Sequence, residues 1–351
     1  MTFPFCACSI TIISMFVGVP SAGSTAPPSS VNVHIVADEA DAVLAILAKR
    51  AAHVQVSDAD WEGLFSTEGY VRLKKRETSL HLSFEDSTFK RFVLSDELLS
   101  RLALLETTLV AWKKADMERV ARRPLAYLPA SATIHATVYP VIKPGRNSFV
   151  FELRDNPAIF LYVDPEVSRD KFENTVAHEL HHVGYGTACP DSQTAREITG
   201  LAKPVQDVLD WVGAFGEGFA MLAAAGGPDV HPHAASDERD RKRWDRDVAN
   251  FDGDLHRVEG FFLDVLDGRL NETQRDSVAY SFFGIQGPWY TVGWQMVVVI
   301  EKTLGRAELI DCMCDPRSTL ETFNRAVVIY NKTSPHPLAL WSPSLLQRLR
   351  P

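Results

Sequence analysis

The sequence predicts an α+β fold, and two observations carry that prediction. Three short runs rich in β-branched and aromatic residues, "ATIHATVYPVI", "NSFVFELR" and "AIFLYV", lie between Ala132 and Val163, with "KPGRN" and "DNP" as turn signals between them. Helical periodicity dominates before this block and returns after it. Strands gathered in one block favour segregated layers over alternating βαβ units. The expected architecture is a small antiparallel or mixed sheet, then a long helix and a mainly helical C-terminal lobe, with a helical N-terminal part.

At the N-terminus, the first thirty residues contain no Lys, Arg, Asp or Glu. Cys6 to Val19 is an apolar run too short for a comfortable membrane span, and "PSAGSTAPPSS" comes after it. Residues 1–23 are therefore expected to be a secretory signal peptide, although its start lacks the usual Lys or Arg. The mature protein would then be secreted or periplasmic. The next region, 24–130, opens on a Ser/Pro linker and the strand candidate "VNVHIV". "DEADAVLAILAKRAA" has helical periodicity with an acidic first turn, and the pattern stays helical to about Arg123.

A last region, 131–351, holds the strand block and a series of helices. Asp164 can cap a helix and Pro165 suits its first turn, so a helix is expected from Pro165 to Val183, with Gly184 and Gly186 as its stop. A second is expected from Val205 to Ala225, ending at Gly226-Gly227-Pro228. The mixed-charge stretch Ser236–Asp247 reads as a solvated helix face. "HRVEGFFLDVL" and "WYTVGWQMVVVIEKTLG" read as two more helices. No segment after the leader looks long and apolar enough to cross a membrane.

With 351 residues, 46% of them hydrophobic, the chain can bury a sizeable core. A net charge of -9 and a pI near 5.7 offer no basic footprint for nucleic acid. Cys6 and Cys8 would leave with the leader. Of the remaining thiols, Cys189 can pair with Cys312 or Cys314, or all three can stay free.

"TVAHELHHVGYG" carries the chemistry. His178, Glu179 and His182 form His-Glu-x-x-His, a pattern that random placement would produce roughly 0.02 times in a chain of this composition. At about 100° per residue, His178 and His182 lie about 40° apart on a helix, so both imidazoles can reach one ion. Phe172, Val176, Leu180 and Val183 form an apolar stripe beside them. His181 points away from that stripe and is expected at the surface or behind the ligands.

Catalytic zinc takes three protein ligands and keeps an open position. Glu179 is placed to act as a base rather than a ligand. Glu217, in "WVGAFGEGFAML", is the candidate third ligand, because a carboxylate in so apolar a setting is costly to bury without a cation. His231 and His233 in "VHPH" are the rivals. Gly216 and Gly218 would let this helix approach the first, and Asp210 is a candidate to orient a ligand histidine.

These motifs resemble those of the gluzincins, zinc peptidases with two histidines on one helix and a glutamate on a second. "VAHELHHVGYG", "GEGFA" and "GPWYTVGWQMVVVIEKTLGR" carry the likeness, over about Ala158 to Leu320. More narrowly, the chain is similar to an uncharacterised bacterial family of zinc-dependent peptidases. The resemblance implies zinc as cofactor, His178, His182 and Glu217 as ligands, Glu179 as acid/base, and a peptide or protein substrate. His181 departs from it, since gluzincins usually carry an apolar residue there.

Tyr290 is the candidate donor to the oxyanion, with His256 as its rival. Trp289 and Trp294 are candidate pocket walls or core residues. "AIFLYV" is a candidate cleft-edge strand for an extended peptide. Asp252 and Asp254 in "NFDGDL" hint at calcium without a full ligand set. A non-catalytic zinc-containing binding protein and a zinc amidase acting on non-peptide substrates are the alternatives to a metallopeptidase.

Overall fold

The computed structural model describes residues 30–153, 155–189 and 193–350. The expected leader, with Cys6 and Cys8, lies outside the described residues. Two compact units form: one from the chain up to Lys114 together with Thr133–Val167, the other from Ala115–Ala132 together with the chain from Ser168 onward.

The first unit holds a four-stranded mixed sheet. Its strands are β1 (Val31–Ile35), β2 (Ile134–Val141), β3 (Phe149–Phe151) and β4 (Ala158–Tyr162), in the order β1-β2-β4-β3. β2 runs parallel to both β1 and β4, and β3 is antiparallel to β4. All four strand expectations are met, although "NSFVFELR" yields only three strand residues. Glu152 explains the early stop. It takes a positive φ of 54°, and its carboxylate is held by Arg72 at 2.9 Å and by Lys75.

One strand expectation is corrected. β4 is not a cleft edge, because its backbone is paired on both sides and all five of its residues are buried. Its unbroken apolar run is that of a strand covered on both faces.

Helices α1 (Asp38–Ala51), α2 (Asp58–Phe65), α3 (Glu68–Ser79), α4 (Asp86–Val93), α5 (Asp96–Leu99) and α6 (Leu102–Trp112) complete this unit. Ser57 and Asp60 form a capping box at α2. Leu73 of α3 packs against Tyr139, Val141, Phe149 and Phe160 of the sheet. Glu39 of α1 is buried in the same unit and accepts the Ile142 N–H at 2.9 Å. Burial pushes its carboxyl up to about 8.

The second unit is helical. It comprises α7 (Met117–Leu125), α8 (Arg169–Ala188), α9 (Gln193–Thr199), α10 (Lys203–Val212), α11 (Gly216–Ala225), α12 (Glu238–Ala249), α13 (Phe251–Leu266), α14 (Glu272–Ser281), α15 (Pro288–Leu304), α16 (Arg306–Cys312), α17 (Pro316–Tyr330) and α18 (Pro343–Arg348). An aromatic core of Phe215, Phe262, Phe282, Trp289 and Trp341 holds it together. Trp289 is fully buried and donates to the Ala279 carbonyl at 2.9 Å, so it is core and not a pocket wall.

Several boundaries differ from expectation. α8 begins four residues after Pro165, because Ser168 is the cap and accepts the Lys171 N–H. Asp164 instead accepts the Glu166 N–H in a local turn. Gly184 and Gly186 do not stop α8, which continues to Ala188. The expected helix 205–225 is split into α10 and α11 by a 3₁₀ turn at Gly213–Phe215. By length and composition the whole run Lys203–Ala225 could cross a membrane, contrary to the expectation that nothing after the leader could. Most of it is buried inside the protein, as in a core helix.

Cys189, the C-cap that follows α8, forms a disulfide with Cys314, with a Cα–Cα distance of 5.1 Å. Cys312 is free and buried.

Candidate metal centre

α8 is anchored by its apolar stripe and by charge. Phe172, Val176, Leu180 and Val183 are all buried. Glu173, also buried, is paired with Arg169 at 2.9 Å and with Arg119 of α7. Arg123 of α7 donates to the Ala224 carbonyl at the end of α11, at 3.0 Å. α7 is thereby tied to both α8 and α11.

His178 and His182 stand one turn apart on α8, with their Nε2 atoms 3.2 Å from each other. Glu217 enters from α11. Its Oε2 lies 3.0 Å from His178 Nε2 and 3.4 Å from His182 Nε2. Tetrahedral ligands about 2.0–2.2 Å from a zinc ion stand roughly 3.3–3.6 Å from one another. The three separations are close to that spacing, with a slight contraction.

The chemistry of the set fits as well. The Glu217 side chain is only 4% exposed, and the partners resolved for it are the two imidazoles. Burial alone would raise its carboxyl, but His182 and His178 hold it well below the usual carboxylate range. Two ring nitrogens and a carboxylate oxygen aimed at one point are three lone-pair donors in need of a cation. Among the described residues, these three form the group able to hold a metal ion.

The crossing of α11 with α15 sets the third side of the site. A Cβ on Gly218 would lie 2.1 Å from Trp294 N and 2.2 Å from Gly293 C, and one on Gly293 would lie 2.7 Å from Phe215 O. Only glycine permits this backbone contact. The expectation for the two α11 glycines is corrected here: Gly218 admits α15 rather than α8, and Gly216 has open space. The crossing brings α15 against the helix that carries Glu217. Tyr290 of α15 then lies over His178, with ring centroids 6.2 Å apart and planes 18° from parallel.

Glu179 is half-buried, and its Oε2 is buried without a hydrogen-bond partner. Burial raises its pKa, against the lowering effect of His178 and His182. A carboxylate of raised basicity next to a metal-ligand pair is suited to proton transfer.

Other candidates fall elsewhere. His181, whose ring centroid lies 6.3 Å from that of His182, is buried and not at the surface. Burial, with the charges of His182 and His178, pushes its pKa well below the usual imidazole value. Asp210 is exposed and reaches no ligand histidine, because the 3₁₀ turn breaks the helical phase that would align it with Glu217. His231 pairs with Asp245 at 3.0 Å, and His233 is buried against Trp244, so neither joins the metal group. His256 lies exposed on α13. Asp252 and Asp254 are in the first turn of α13, where they bind the Ala339 N–H and Arg257, so they form no calcium loop. Sequence reasoning missed Gly293; its signal was a lone glycine inside the apolar helix "WYTVGWQMVVVIEKTLG".

Neither the curated proteins nor the solved structures yield a match to this chain. Residues 61–331 match the family described as "Putative zinc dependent peptidase (DUF5700)". That match covers well over half of the chain and takes in α8, α11 and α15. The chain therefore belongs to this family.

Proposed function

We propose that the protein is a secreted metallopeptidase that hydrolyses peptide bonds with zinc held by His178, His182 and Glu217. One observation carries this reading: two imidazole nitrogens and a buried carboxylate oxygen converge within 3.0–3.4 Å, with Glu179 beside them on the same helix. Zinc held by these residues would supply Lewis acidity, which would make water acidic enough to lose a proton near neutral pH. Glu179, whose basicity is raised by burial, takes the proton of the attacking water and delivers it to the leaving amine. Tyr290, lying over His178, donates its phenol O–H to the oxyanion of the tetrahedral intermediate.

Secretion is supported by the apolar, uncharged start of the chain and by the Cys189–Cys314 disulfide, a bond that persists in oxidising compartments. Sequencing the N-terminus of the mature protein tests it; a chain that retains Met1 in the cytoplasm opposes it.

The decisive experiment compares the zinc-loaded protein with Glu179→Gln on a mixed peptide pool read by mass spectrometry. The variant is expected to keep its zinc and lose about 10²–10⁴-fold in rate. Undiminished cleavage by the variant, or no cleavage by the zinc-loaded wild type, would sink the reading.

A further inference from the structure

Near α8 and α15, several buried side-chain nitrogens have no hydrogen-bond partner. His233 and Trp244 are buried, with ring centroids 5.1 Å apart, and Trp244 meets Trp294 of α15 at 5.6 Å. His233 Nε2, Trp244 Nε1 and Trp294 Nε1 are all buried without a hydrogen-bond partner. Arg243, next to Trp244 on α12, adds a fourth: its Nη2 is also buried and unpartnered, while its Nη1 binds Asp240 at 3.1 Å. Native interiors leave few polar groups unpaired, so three on rings in successive contact, with a fourth on the neighbouring residue of α12, call for an acceptor.

The cluster adjoins the metal centre on two elements. Asn174, one turn before His178 on α8, donates to the Pro232 carbonyl at 3.3 Å and so pins the loop that carries His233. Trp294 is one turn after Tyr290, and its backbone nitrogen lies against Gly218, the neighbour of Glu217. Arg243 also borders a groove of about 520 Å³ that is otherwise lined by Glu238, Arg239, Lys242 and Arg246.

Charge selects the acceptor. Asp240 is buried between Lys171 and Arg243, each at 3.1 Å, so one acid faces two cations and a positive charge is left over. Ser236 Oγ lies 3.2 Å from His233 Nδ1. If the serine donates to Nδ1, the Nε2 proton points into the cluster. In that tautomer two indole N–H groups, an imidazole N–H and a guanidinium form a donor-only set with excess positive charge, suited to a two-oxygen anion.

We propose that His233, Arg243, Trp244 and Trp294 form a carboxylate subsite beside the metal centre, which takes an acidic side chain or the terminal carboxylate of a peptide substrate. Its place on the substrate path rests on the peptidase reading; its affinity for carboxylates does not. The cluster would make the enzyme selective for peptides with a negative group near the scissile bond.

The test reads the indole N–H signals of the zinc-loaded protein by ¹H–¹⁵N NMR. The chain has seven tryptophans, so Trp244→Phe and Trp294→Phe assign the two signals of interest by their disappearance. Three peptides are titrated: one with an internal glutamate and both ends blocked, a neutral one with a free C-terminus, and a neutral one with both ends blocked. A saturable shift of both signals with the first identifies a side-chain subsite, and with the second a terminal-carboxylate subsite. No shift with either, or an equal shift with the fully blocked peptide, overturns the proposal and leaves bound water as the acceptor. In cleavage assays, Trp244→Phe should reduce the preference for the charged over the neutral peptide by about tenfold, as loss of one hydrogen bond to a charged group would. Shifts without cleavage of any peptide would refute the peptidase reading and keep the subsite. Cleavage with neither shift nor preference would do the reverse.

Discussion

Two glycines two residues apart on α11 should respond in opposite ways to the same substitution. In Gly218→Ala the new Cβ would lie 2.1 Å from Trp294 N and 2.2 Å from Gly293 C, where ordinary contact begins near 3.4 Å. The α11–α15 crossing would have to open by about 1.3 Å (3.4 − 2.1), and both obstructing atoms are backbone, so no side chain can swing away. Overpacking of this kind costs about 1–3 kcal/mol, and the gain in helix propensity returns about 1 kcal/mol at most. The net loss should be about 2 kcal/mol, from the upper end of that range. Zinc binding should weaken too, because Glu217 is the adjacent residue and would move with α11. Gly216→Ala meets nothing within 4 Å and should leave stability unchanged or raise it by about 0.5–1 kcal/mol. Urea unfolding, with zinc affinity by competition against a chromophoric chelator, measures both effects. If Gly218→Ala matches the wild type in midpoint and zinc affinity, or if the two variants fall together, the close crossing does not hold the site.

Three further outcomes are expected. Tyr290→Phe keeps the ring over His178 but removes the O–H, and should lower kcat by about 10²-fold with little change in KM, as loss of one oxyanion donor does; an equal kcat would remove Tyr290 from the chemistry. Cys314→Ser opens a link between residues 125 apart and should cost about 2–4 kcal/mol in urea unfolding, and a variant as stable as the wild type would refute a structural role for the bond. Glu39 is the group to test by pH. Its carboxyl is raised from 4.5 to about 8 in the folded state, so the folded protein holds the proton more tightly than the unfolded chain. Its stabilising contribution is complete below pH 4.5 and is lost as pH rises toward 8, amounting to a few kcal/mol. Glu39→Gln should therefore gain stability relative to the wild type between pH 5 and pH 8, and parallel unfolding curves across that range would show that the carboxyl is not perturbed.

Local spacing made much of this protein legible before any fold was known. The four-residue interval between His178 and His182 fixes their separation on any α-helix, because helical rise and twist are set by backbone sterics. Glu217 stood out because a carboxylate among Gly, Ala, Phe and Met needs a compensating charge wherever that helix goes. The strand block between Ala132 and Val163 declared itself through β-branched residues and turn signals. Each of these rests on interactions within a few residues of chain.

What stayed hidden depended on which distant surface each element meets. Whether His181 reaches the surface or lies buried beside the ligands stayed open, because nothing in "HELHH" tells whether another helix covers that side. Asp210 lost its place when three residues of 3₁₀ turn rotated α10 against α11. Cys189 could have met Cys312 or Cys314, which lie two residues apart, and only helix packing chose Cys314. Gly218 and Gly293, 75 positions apart, acquire meaning only as a pair, since a glycine's missing Cβ matters where another backbone arrives. The sequence alone was enough to propose the metal helix, the base beside it and the third carboxylate, because helix geometry and the cost of burying charge are local. The closeness of the three ligand atoms, the seating of Tyr290 over His178 and the cluster of unpaired donors around Trp244 were decided by tertiary packing, because each requires side chains from separate helices to reach the same few ångströms.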